Sequence, residues 1–356
     1  MNTAQPRTAP ISTAVRGLSP GYFALVMATG IISVGTHLTG RVLISQALLV
    51  ICAVSYVLLV ALTIWRIVGY RGAIFEDFTN PRRAFGFFTF IAGTNVLGVR
   101  LAVAGIYPIT AALLIISGVS WIVLGYVIPW TAVLGRSTRP VVADANGSWF
   151  IWVVASQSVA TAAASLERVA GGHARLLGIV AVFSWSVGIF LYATTGVLVT
   201  LRMMLYPLGP KDLDPPYWVA MGACAITVLA GSRIVEMRSA PMVNAVHGLV
   251  AGASVVFWAF ATWLIPVLIA AGLWRHWRHR VPLTYEATFW SVVFPLGMYA
   301  VAGIYLGEAD RLPVVGRIGA AMLWVALAAW VITFVAMALH LGRTLIARPA
   351  TTTQKQ

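Results

Sequence analysis

Ten apolar stretches, each about as long as a bilayer-crossing helix, alternate with short polar breaks along the chain. About 20 apolar residues suffice to cross the hydrocarbon core as a helix. The pattern predicts spans near 21–38, 42–68, 85–104, 108–134, 148–165, 176–204, 217–232, 244–273, 285–305 and 318–341. Tight turns at Gly40-Arg41 and Gly105–Pro108 follow the first and third spans, and longer basic loops separate successive pairs. The odd spans begin at near-regular spacings of 64, 63, 69 and 68 residues. The predicted fold class is therefore an all-α polytopic membrane protein, with ten transmembrane helices as five tandem helical hairpins. No sequence motif repeats obviously with that spacing, so the repeat is one of architecture. Residues 1–18 are expected to be a flexible cytoplasmic N-terminus, 19–342 the transmembrane domain and 343–356 a cytoplasmic tail. No small-residue cleavage site follows the first span, which is expected to be retained.

Odd and even spans differ in texture. The odd ones carry small and polar residues, which allow close helix approach or line water. Gly30, Ser33, Thr94, Asn95, Ser156, Gln157, Gly222, Thr227 and Ser291 are the pore-lining candidates. Spans two, four, eight and ten are mostly aliphatic and suit lipid, while span six, with Ser184 and Thr195, departs from the contrast. The arrangement this predicts is an inner pore ring of odd helices surrounded by even ones.

The ninth span holds Phe294 and Pro295 near its midpoint. Proline lacks an N–H, so the Ser291 carbonyl loses its helical partner and a kink is expected. A freed carbonyl at membrane depth is tolerated against protein or a wet cavity, not against lipid. Phe294 is then either a packing residue on an interior helix or a ring placed across a pathway.

Composition narrows the function. Only 10% of residues are charged and 60% are hydrophobic, which excludes a soluble domain. The formal charge of +14 sits in loops, where it reports topology and contact with anionic membrane lipid rather than nucleic acid. Sixteen of the 24 Lys and Arg residues, Arg66, Arg82, Arg136, Arg139 and Arg275 among them, fall on one side of a ten-span topology. That side, with both termini, is predicted to be cytoplasmic. Cys52 and Cys224 lie within spans and read as small apolar residues.

No Asp or Glu falls near the middle of a span, so the usual intramembrane proton or cation relay is missing. Arg100, in the outer third of span three, either snorkels to the interface or attracts anions. Catalytic, metal-binding and nucleotide-binding motifs are absent, so no enzyme, cofactor or metal is expected. A neutral lining with basic mouths favours small anionic substrates over cations.

Four stretches, GYFALVMATG, NGSWFIWVVASQSVA, PPYWVAMGACAITVLAG and WSVVFPLGMY, occur in spans one, five, seven and nine. In that order they resemble the tellurite-resistance/dicarboxylate transporter family, which includes plant slow anion channels and bacterial tellurite-resistance channel homologues. The resemblance covers about residues 17–345. It implies five hairpins around an inner five-helix pore, usually a homotrimer, and a phenylalanine plug in the ninth helix. Trp290 aligns that helix with the family and puts the plug on Phe294, with Phe289 as the alternative register. The implied function is transport of anions, either a C4-dicarboxylate such as malate or small inorganic anions. The family also contains proton-coupled dicarboxylate carriers and sulfite or tellurite efflux carriers, and the motifs do not separate these. A membrane-embedded enzyme or scaffold is the contrasting class. Ala and Arg usage and short termini suggest a bacterial inner membrane.

Overall fold

The computed structural model describes residues 10–135, 140–238 and 241–346. Arg136 and Arg139 of the charge count lie outside the described residues. Ten helices are long and apolar enough to cross a membrane. They are α1 (Pro20–Leu38), α2 (Val42–Gly69), α3 (Ala84–Val103), α4 (Tyr107–Leu134), α5 (Gly147–Val169), α6 (Gly171–Leu205), α7 (Pro215–Val235), α8 (Pro241–Arg278), α9 (Ala287–Ala309) and α10 (Pro313–Thr344). No strand occurs among the described residues.

The even helices run for 28 to 38 residues and the odd ones for 19 to 23. Hydropathy underestimates α6, α8 and α10, because their ends continue as helix past the last apolar run. Pro241 and Pro313 open two of them at the position where a missing N–H costs no bond. Two short helices lie outside the spans, Pro10–Arg16 and Arg71–Thr79. The first falls within the segment expected to be flexible, and its Arg16 carbonyl accepts a hydrogen bond from Arg66 Nε at 3.0 Å.

Burial divides the helices cleanly. In the most apolar window of each odd span 72–89% of residues are buried, against 11–33% in the even spans. Each odd helix packs against the even helix that follows it, and the odd helices also touch one another in the order α1, α3, α5, α7, α9 and back to α1. The even helices turn Val54, Leu58, Ile115, Phe190, Trp263 and Ile332 outward, a surface that suits lipid chains.

Small residues set the approach of α9 to α10. Gly303 and Gly307 of α9 face Gly316 and Gly319 of α10, and a Cβ on Gly307 would stand 2.6 Å from the Gly316 Cα. Only glycine on both sides permits this backbone approach. At the end where the odd helices begin, Asp77 pairs with Arg66 at 2.7 Å and with Arg83 at 2.8 Å. Both Arg66 and Asp77 are buried, so the pair joins α2, the 71–79 helix and the approach to α3.

Candidate functional site

Every odd helix starts in the same way, with a 3-10 turn ending at or beside two adjacent aromatic residues. The pairs are Tyr22-Phe23, Phe87-Phe88, Trp149-Phe150, Tyr217-Trp218 and Phe289-Trp290. They give the five helices a common register. Eight residues past the second aromatic stand Ile31, Val96, Ser158, Ile226 and Met298, one from each odd helix. All five line a single small void of about 10 Å³. Asn95, Val34, Val99, Thr161 and Leu229 complete its wall. A space of that size holds about one water, and no even helix borders it.

A larger hollow of about 160 Å³ lies where the odd helices begin. It too takes residues from all five: Ser19 and Gly21 before and in α1, Gly86 in α3, Ser148 and Ile151 in α5, Pro216 in α7, Ala287, Thr288 and Ser291 in α9. Arg82, Arg83, Asn146 and Asp214 enter from the preceding loops. Five helix N-termini thus converge on one vestibule, each carrying a partial positive charge from its backbone dipole. The two arginines are not free charges. Arg82 pairs with Asp144 at 3.0 Å, and Arg83 with Asp77.

Between void and vestibule lies the layer four residues past the second aromatic: Met27, Ala92, Val154, Gly222 and Phe294. All are buried. Ser291 borders the vestibule and Met298 the void. Phe294 is three residues from one and four from the other, so all three share one face of α9. Seven residues of helix span about 10 Å, and the phenyl ring stands within that interval, 1% exposed. Helix α9 continues unbroken through Pro295, whose ring packs on Gly222 of α7. Phe289 is half-buried in the first turn and borders neither space. Trp290 is fully buried and donates from Nε1 to the Tyr285 hydroxyl at 3.1 Å, which in turn meets the Tyr22 hydroxyl at 3.0 Å.

The polar candidates divide by direction. Asn95 borders the void, donating to Ser158 Oγ at 2.9 Å and accepting from Ser117 Oγ at 2.6 Å. Ser291 borders the vestibule. The others turn to neighbouring helices: Thr94 to Tyr56 of α2, and Ser156 and Gln157 to the Ser184 and Trp185 carbonyls of α6. Gly30 is packed against Val96 and Cys52. Thr227 bonds the Ala223 carbonyl of its own helix. Arg100 is buried between α1 and α2, donating to Ser33 and Ser45 Oγ, each at 2.8 Å, and borders neither space. Its third nitrogen has no hydrogen-bond partner. Ser158 and Thr161, which do line the void, are not among the sequence candidates. The aromatic register would have found Ser158.

Asp214 is the unforeseen residue. It precedes α7 in the N-cap position, yet its side chain caps nothing. Pro215 and Pro216 remove the first two donors, and the Tyr217 N–H goes to the Asp214 carbonyl. The side chain is left half-buried, with Oδ1 enclosed and making no hydrogen bond. Burial pushes it up to about 7, against the opposing pull of Arg275.

A polytopic helical protein with a narrow axis through its buried helices and a mouth of converging N-termini has the form of a membrane transport protein for anions. The comparisons agree and give the family. Residues 17–338 match the voltage-dependent anion channel (SLAC1) family, and the chain belongs to it. Two uncharacterized transporters of Methanocaldococcus jannaschii are each 20% identical over 328 residues, 90% of this chain and 92% or 94% of their own length. An uncharacterized membrane protein of Mycobacterium tuberculosis is 65% identical over 156 residues, 44% of this chain and 79% of that protein.

Proposed function

We propose that the chain conducts anions along the axis of the five odd helices, and that Phe294 is the gate. The observation that carries this is the position of the ring between vestibule and void, on a path bordered by every odd helix and by no even one. A phenyl group there closes the path by bulk and by leaving a constriction that water wets poorly. Pro295 deprives the Ser291 carbonyl of its helical donor, which leaves a polar oxygen one turn before the gate. The substrates are small inorganic anions or C4-dicarboxylates such as malate. Converging dipoles at the mouth, and a void and gate layer that hold no carboxylate among the described residues, favour them over cations.

The vestibule faces the cytoplasm in this reading, with both termini on the same side of a bacterial inner membrane. Three copies assemble with one conduit each, as the resemblance implies. Arg100 acts through its field at the far end of the ring, since its guanidinium pairs only with hydroxyls. The test is ion flux in liposomes holding purified protein, with a panel of anions against K⁺. A reversal potential that follows the anion gradient supports the proposal, and one that follows K⁺ overturns it. A proton-linked carrier is the second reading, and the observation favouring it is Asp214.

A further inference from the structure

We propose that Asp214 is a proton-operated selectivity residue of the vestibule: neutral, it admits the anion and donates a hydrogen bond to it, and ionised, it turns the anion away. The inference rests on the conduction axis proposed above and goes beyond it, because it names what decides entry.

The geometry comes from the sequence Asp214-Pro215-Pro216. An aspartate at a helix start ordinarily has backbone N–H groups to accept. Here the two prolines have none, and the next N–H is taken by the aspartate's own carbonyl. The carboxyl therefore stands in the vestibule wall with Oδ1 unbonded and only its own backbone N–H favouring the ionised form. It is the only acidic residue in that wall among the described residues. The charged groups that act on it are Arg275 from the end of α8, Glu286 from the approach to α9 and Arg82 from the approach to α3. Arg275 is turned toward the Lys211 and Leu213 carbonyls, at 3.4 and 3.0 Å. Arg82 is committed to Asp144 and lies 4.0 Å from Asp212, which Arg202 also approaches. The starts of α1 and α5 contribute Ser19, Gly21, Asn146 and Ser148, none of them charged.

Arg82 is neutralised by Asp144, and Arg275, held on backbone carbonyls, offsets the charge on Asp214 only in part. An entering anion meets that charge inside a small, partly desolvated hollow, where repulsion is weakly screened. Protonation removes the repulsion and supplies an O–H donor in the wall of the same hollow. The elevated carboxyl places this change near neutrality. An oxyanion or carboxylate ligand gains the hydrogen bond as well as the loss of repulsion, and a dianion gains more than a monoanion.

The experiment is malate and chloride efflux from liposomes at about pH 6 and about pH 8, spanning the titration of the group. Phe294→Ala is run beside the wild type so that a closed gate does not hide entry. Flux is expected to rise severalfold as pH falls through the neutral range, more for malate than for chloride. Asp214→Asn is expected to give the high, acid-side flux at both pH values, and Asp214→Glu to keep a pH response. A pH-independent flux in both wild type and Phe294→Ala, or an unchanged pH profile in Asp214→Asn, overturns the inference. If Asp214→Asn does not fold, Asp214→Ser takes its place under the same criteria. Failure of the conduction proposal has a different signature, no anion flux from wild type or Phe294→Ala at either pH.

Discussion

Gly222 and Pro295 meet where a side chain would collide: a Cβ on Gly222 would stand 2.9 Å from the Pro295 Cγ. Gly222 is the α7 counterpart of Phe294 in the common register, so α7 gives up its side chain in the layer where α9 brings a phenyl ring. Gly222→Val would overfill the contact at a cost of about 1–3 kcal/mol and push Pro295 away from α7. The expected result is a thermal midpoint several degrees lower in detergent, with a higher basal anion leak. Unchanged midpoint and leak would mean the two helices have room to spare.

Phe294→Ala is expected to raise basal anion flux severalfold without loss of expression, because it empties the interval between vestibule and void. Phe289→Ala is expected to change little. Five residues separate the two rings, which turns them about 140° apart around the helix. Efflux from liposomes with equal protein checks both, and a large increase only in Phe289→Ala would assign the gate to the other ring.

Asp77 offers a test of stability. Asp77→Asn leaves Arg66, whose side chain is 4% exposed, without its carboxylate. Breaking a buried pair from one side costs about 3 kcal/mol, so thermal unfolding in detergent should begin markedly earlier. Flux per folded molecule is expected to rise as well, because Asp77 also holds Arg83 of the vestibule wall, whose charge the substitution releases.

Orientation is open to chemical labelling. Arg82 and His173 are exposed, at opposite ends of the bundle. With the vestibule facing inward, Arg82→Cys is expected to be shielded from impermeant thiol reagents in intact cells and His173→Cys to react. The opposite pattern would invert the topology.

The spans were legible because hydropathy alone marks a bilayer crossing, and the contrast between odd and even texture follows from what each must touch. Direction within the odd helices was not legible. Helix α5 is buried on nearly every side, so no amphipathic face separates Ser158 from Ser156 or Gln157. All three are polar residues in one short run, and only the neighbours decide which meets the axis. The aromatic pairs at the helix starts would have decided it, but they change identity from Tyr-Phe to Trp-Phe to Tyr-Trp and conceal a repeat of position. Asp214 was hidden for another reason. It sits in a proline-rich break that reads as a loop, and its burial depends on helices far away in sequence.

The common register has a consequence for how such a conduit can be rebuilt. Phe294, the gate proposed above, occupies a position that four other helices fill with Met27, Ala92, Val154 and Gly222, so the proposed closure would belong to the layer and only by choice of residue to α9. A phenyl ring introduced as Ala92→Phe into the Phe294→Ala protein should approach the same axis from another bearing and restore low flux. The plug would then be portable within the layer, except to Gly222, where Pro295 already stands, a property that pseudo-symmetry confers and no single helix holds alone.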